Sequence, residues 1–228
     1  MSSAPNPYQP PQQPLHGPYR ASPPHPRFEP LDTYAFLSIV AMAFNLAAAF
    51  GTDLFLLVAS HASRAGSPLL LSLAALLELV SALASLAATI SFLIWVYRAA
   101  QNLRALDRGG KIPSPGWCVG WFFVPLANFF MPYRVLSEIW DASDTGTGFG
   151  SHAFRRTPLI PLWWVTFLAS KFLARFVTSL ADGLQETAIV RLLGNGIGVA
   201  AAVSIALVMR DVGAHQAEIA GSAPAFKT

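Results

Sequence analysis

Charge is scarce in this chain. Asp, Glu, Lys and Arg make up 12% of its 228 residues, where a soluble domain carries about 25%. With long uncharged apolar runs in their place, and a mean hydropathy of +0.46, the composition indicates an integral membrane protein. Cysteine is nearly absent. The single Cys118 excludes an intramolecular disulfide and any Cys-x-x-Cys metal pattern. The five histidines (His16, His25, His61, His152, His215) never stand three or four residues apart, so a helical zinc pair is missing, and neither metal nor other cofactor is expected. Net charge is only +3 and no polar helix carries a basic block, which leaves nucleic-acid binding without support. The nucleophile elbow, the phosphate-binding loop and a Cys/His couple are also lacking, so the expectation is a protein that is not an enzyme. The N-terminus lacks the basic start and apolar core of a signal peptide.

What the chain does contain begins with proline. Residues 1–30 hold ten prolines and almost no aliphatic side chains. Such a segment buries too little apolar surface to offset its ordering entropy, so residues 1–32 are expected to be a disordered tail with polyproline II character. Two uses are open: a docking arm for proline-binding modules, or a solvated spacer. Residues 33–212 read as an all-α membrane domain, and 213–228 as a flexible C-terminal tail. Apolar runs at 35–60, 69–97, 159–181 and 187–209 are each long enough to cross a hydrocarbon core of ~30 Å. Pro68 can open the second helix. Its pattern continues past Tyr97 through RAAQNLRALDR to a stop at Gly109-Gly110, with Trp95 and Tyr97 marking the interface. DTGTGFGSHAFRRTP reads as a flexible loop and DGLQE as a tight polar turn. Gly194 and Gly198, four apart in the last span, form a weak small-residue contact face.

The stretch SPGWCVGWFFVPLANFFMPY, residues 114–133, raises the question of topology. As an ideal helix, Gly116 to Met131 reaches about 24 Å, short of the core, and Pro125 removes a backbone donor at its middle. If the segment does not cross and the N-terminus is cytoplasmic, eleven basic residues lie inside against Arg64 alone outside; if it crosses, the tally is six to six. The positive-inside rule favours the first arrangement. The expectation is therefore a four-span helical bundle in the inner membrane, with both termini cytoplasmic and a re-entrant or interfacial Trp/Pro-rich element at about 114–143. Within it, PYRVLSEIWDAS reads as an amphipathic helix, with Tyr133, Leu136 and Trp140 on one face and Arg134 and Glu138 paired at i, i+4.

Five charges fall inside the expected spans. At ~1.5 Å per residue, Glu78 and Lys171 both lie about 15 Å from the outer surface, Asp53 about 10 Å and Arg175 about 9 Å. Matching depths point to Glu78–Lys171 and Asp53–Arg175 ion pairs, while Arg191, about 6 Å deep, is expected to snorkel or join Asp53. A polar path with Glu78 as its titrating group is the functional alternative.

On the cytoplasmic side, Arg98, Asn102, Arg104, Trp117, Trp121, Pro125, Asn128, Tyr133, Glu138 and Trp140 form the candidate functional surface. YRAAQNLRAL followed by SPGWCVGWFFVPLANFFMPYRVLSEIWDAS resembles the core of a bacterial membrane family, the domain of unknown function 4328. The resemblance implies several spans behind a Pro-rich tail and an important surface around these positions; it implies no catalytic role. The function expected is a scaffold or regulator that binds a membrane partner or anionic lipid headgroups through Arg98, Arg104, Arg108 and Lys111. A small transporter or channel using Glu78 and Lys171 is the alternative.

Overall fold

The structure, a computed structural model, describes residues 27–61, 67–144, 157–178 and 184–222, with backbone alone for Lys111, 174–178 and 184–187. The proline-rich tail as far as residue 26, most of the loop read at 144–158 and the last six residues lie outside the described residues. All regular structure described is helical: α1 (Asp32–His61), α2 (Pro68–Ala105), α3 (Pro115–Gly120), α4 (Met131–Ser143), α5 (Leu159–Thr178) and α6 (Leu184–Ser222), with short 3-10 turns at Gly109–Lys111 and Ala127–Phe129. Three of them, α1, α2 and α6, are long and apolar enough to cross a membrane. The last three residues of the expected polar turn, Leu184 to Glu186, already belong to α6.

Local chemistry explains the helix starts. Ser67 caps α2 through its hydroxyl, which accepts from the Leu70 N–H, and Pro68 follows at the first helical position. Ser114 and Pro115 repeat the device at α3. The end of α2 differs from expectation. The helix stops at Ala105, ahead of Gly109-Gly110, because Asp107 takes a left-handed conformation (φ 56°) and the Arg108 N–H turns back to the Leu103 carbonyl.

Helix α1 packs on both α2 and α6, and α6 packs on α5. Neighbours run antiparallel. Thr52 of α1 meets Ser81 of α2 at 2.8 Å, while Glu29, just before α1, meets Asn102 near the other end of α2. Arg191 near the start of α6 reaches Asp53, and Gly213 near its finish lies against Leu31. The starts of α1 and α5 and the finishes of α2 and α6 therefore share one end of the bundle. Residues 114–143 stay at that end, here called the block end.

The tight core also sits there. Trp95, Leu103, Cys118, Val135, Leu136, Ile139, Val208, Met209 and Val212 are buried together. Helix α2 changes environment at Trp95: before it, Leu71, Leu76, Leu79, Leu83, Leu86 and Ile90 point outward, and after it Val96, Ala99, Ala100 and Leu103 point inward. Trp95 is thus a core residue and not the interface marker its position suggested; it is the largest fully buried side chain described. The expected flexible tail from 213 is also corrected. Helix α6 continues to Ser222 because Val208, Val212 and Gln216 prolong its inward stripe at i, i+4, i+8. The fully buried Gln216 amide donates to the Ala99 carbonyl at 3.3 Å and to Ser143 Oγ at 3.1 Å, joining α6 to α2 and α4.

Candidate functional site

The candidate residues at the block end divide among three places. Arg98 and Asn102, one turn apart on α2, grip the chain ahead of α1. Asn102 Oδ1 accepts from the Glu29 N–H at 3.0 Å, and its Nδ2 donates to the Glu29 carbonyl at 2.7 Å. Arg98 pairs with the Glu29 carboxylate at 2.8 Å and lies 5.3 Å over the Tyr34 ring, whose hydroxyl donates to the same carboxylate. Glu29 and Tyr34 carry no motif signal, and sequence reasoning passed over both. Arg104 donates to the Ile112 carbonyl at 3.5 Å. Gly109 is required beside it, since a Cβ there would stand 2.6 Å from Arg104 Cγ.

The second place is the turn-rich segment from α3 to α4. Trp117 and Trp121 lie with ring centroids 5.1 Å apart. With Arg134 and Glu138, which are paired at 2.8 Å as the i, i+4 spacing predicts, they border a hollow of about 310 Å³. Helix α3 has already ended at Gly120, and after the turns that follow Pro125 leads into a γ-turn: Leu126 has φ 65°, and the Ala127 N–H donates to the Pro125 carbonyl at 2.8 Å. Leu126 is 78% exposed, and Trp117, Phe123 and Phe130 are exposed with it, so the segment presents an apolar wedge. Below it, burial pushes the Cys118 thiol up to about 11. Tyr133 and Trp140 are half-buried on α4, and Trp140 sets its ring edge-on to His215 of α6.

The third place is a cleft of about 560 Å³ between α2 and α5, floored by α1 and α6. Asn128 lines it at the block end, Glu78 and Lys171 at the far end. Here the expected Glu78–Lys171 pair is corrected, while Arg191 joins Asp53 as one of its two expected alternatives had it. Arg191 bridges both acids: its Nη1 donates to Glu78 at 2.6 Å and its Nε stands 2.7 Å from Asp53 Oδ1. Asn195, a residue sequence reasoning left unassigned, donates to Asp53 Oδ2 at 2.6 Å. Glu78 is therefore paired with Arg191 and not with Lys171, whose ammonium lies 6.0 Å over the Phe167 ring. The side chain of Arg175 lies outside the described residues. The physical reason is angular. Depth along a helix is legible from residue number, but α1 and α6 are direct neighbours, and the rotation of α6 aims Arg191 between the two acids.

Among the described residues, no group of three His, Cys, Asp or Glu is placed to hold a metal ion. The model of a family described as a domain of unknown function, DUF4328, matches residues 59–214. No curated protein and no solved structure matches the chain.

Proposed function

The chain belongs to the DUF4328 family, and from that premise we propose that it is a non-enzymatic scaffold or regulator of the bacterial inner membrane, acting through its block end on anionic lipid or a membrane partner. The observation that carries this reading is the apolar wedge of Trp117, Phe123, Leu126 and Phe130, set in the same block as Arg104, Arg108 and Arg134. Apolar groups that enter the acyl region beside cations that meet headgroups are the composition of an interfacial element. Basic residues near an anionic leaflet contribute about 1 kcal/mol each.

The proposal includes a topology. Helix α5 is the fourth span, the block faces the cytoplasm, and both termini are cytoplasmic. The count of basic residues supports it, as does the return of residues 114–143 to the end from which they depart. The lipid purified with the protein tests the function. Wild type is expected to carry over anionic phospholipid in excess of its share of the membrane. Neutralising Arg104, Arg108 and Lys111 together should erase that excess, and an excess left intact would sink lipid binding by the block. A membrane partner as occupant predicts instead a crosslinked protein lost in the same variant.

One observation favours a second reading, a small transporter: Glu78, Lys171 and Asn195 all line one cleft. Proteoliposomes would then show pH-dependent flux that Glu78→Gln abolishes. No flux from the intact protein would dispose of that reading.

A further inference from the structure

We infer that the cleft between α2 and α5 binds a single-chain anionic amphiphile, its hydrocarbon lying along α2 and its acidic headgroup on the Lys171 ammonium. The site is separate from the basic residues of the block, since Arg104, Arg108 and Lys111 do not line it.

Shape is the first argument. Helices α2 and α5 stand apart over most of their length and meet at the block end, where the Phe92 and Trp163 rings lie 5.9 Å apart; each leans on the α1–α6 floor. The space left, about 560 Å³, lies within the range of small-molecule sites. Its lining on α2 runs from Glu78 to Leu93, which is about 22 Å of helix. That volume drawn out over that length is a channel one hydrocarbon chain wide. The outer flanks of α2 and α5 carry exposed Leu83, Leu86, Val165 and Phe172, so a ligand would enter sideways from the lipid phase.

Chemistry is the second. Three of the hydroxyls in the cleft are already satisfied: Ser81 bonds Thr52 at 2.8 Å, Thr89 donates to the Ser85 carbonyl at 2.8 Å, and Ser170 donates to the Phe167 carbonyl at 2.8 Å. They offer a hydrocarbon chain carbon rather than free donors. Toward the block end the walls are aromatic, with Phe92, Phe122, Trp163 and Trp164.

Charge is the third. Arg191 holds both Asp53 and Glu78, so among the described residues Lys171 has no carboxylate partner. A cation left in the membrane zone without a counter-ion is costly. A carboxylate or phosphate brought in on a lipid chain removes that cost, whereas a neutral or cationic headgroup does not. Fatty acids and lysophospholipids share this chemistry, and the test separates them.

The tryptophans in the wall supply the measurement. Purified full-length protein in detergent would be titrated with three probes of equal chain length, each brominated at mid-chain: a fatty acid, a lysophosphatidylglycerol and a monoacylglycerol. The expected result is saturable quenching by one or both acids and at least tenfold weaker binding of the monoacylglycerol. Which acid binds more tightly identifies the headgroup. Lys171→Gln should bring the acids to the level of the monoacylglycerol, and Lys171→Arg should keep them tight. Ser85→Phe, at a half-buried position that lines the channel, should abolish saturable quenching by all three. Unsaturable quenching, equal affinity for acid and neutral probe, or binding indifferent to both Lys171→Gln and Ser85→Phe would overturn the inference. Should Lys171→Gln fail to fold, the comparison of acid with neutral probe and the Ser85→Phe result decide alone.

Discussion

Asn102 holds Glu29 as a neighbouring strand would, accepting from its N–H and donating to its carbonyl. Both bonds come from a buried amide, so Asn102→Ala leaves the Glu29 backbone without partners. A loss of about 1–3 kcal/mol is expected. The segment around Arg27 should then be cut by trypsin far faster than in wild type, and unchanged cleavage would mean that Arg98 alone holds it. Cys118 gives a second prediction at this scale. With its thiol pushed up to about 11, the folded protein keeps it protonated at neutral pH. It should resist thiol reagents there and react only after denaturation. The folded state binds this proton more tightly than the unfolded chain, whose thiol titrates near 9.0. The stability it contributes is therefore present below about 9 and lost as pH rises through about 11. A denaturation midpoint flat across that window in wild type, with the same slope in Cys118→Ala, would contradict it. Leu126 gives a third. A leucine held left-handed costs about 1–2 kcal/mol, part of which Leu126→Gly should return as a higher melting temperature in detergent. A lower one would mean that the leucine side chain contributes more than its backbone costs.

Among the elements, α1, α2 and α6 meet around one guanidinium. Arg191 answers two acids, of which the Asp53 side chain is fully buried. Arg191→Gln leaves those charges without their cation, and a loss of about 3–5 kcal/mol is expected. Adding Asp53→Asn and Glu78→Gln to that variant should restore much of the loss, since the charges that lacked a partner are then gone. Unfolding in detergent followed by helical circular dichroism measures both. Equal stability of the single and triple variants would show that the cluster adds no pairing energy. The α3–α4 segment follows from opposite features of one sequence: Pro125, without a backbone donor, sits among the turns between α3 and α4, while the Val135, Leu136 and Ile139 stripe seats α4 in the core.

At the scale of the molecule, the open point is which side of the membrane each loop faces. In a Cys118→Ser background, a single cysteine at Thr147 should react with an impermeant thiol reagent only after cells are permeabilised. Labelling from outside would turn the bundle over, with the block and both termini outside, and remove the proposed cytoplasmic block. That α1, α2 and α6 are membrane-length apolar helices was legible in the sequence, because length and apolarity are properties of consecutive residues. So were the Pro68 start, the Arg134–Glu138 pair and the family, each carried by a local pattern. The partners of Glu78 and Lys171, the burial of Trp95 and the course of α6 past residue 212 were not. Residue number gives depth along a helix axis. It says nothing of which way each helix is turned or which helices adjoin, and those two choices, made when α1 packed between α2 and α6, decided which charges meet and left a cleft beside α5.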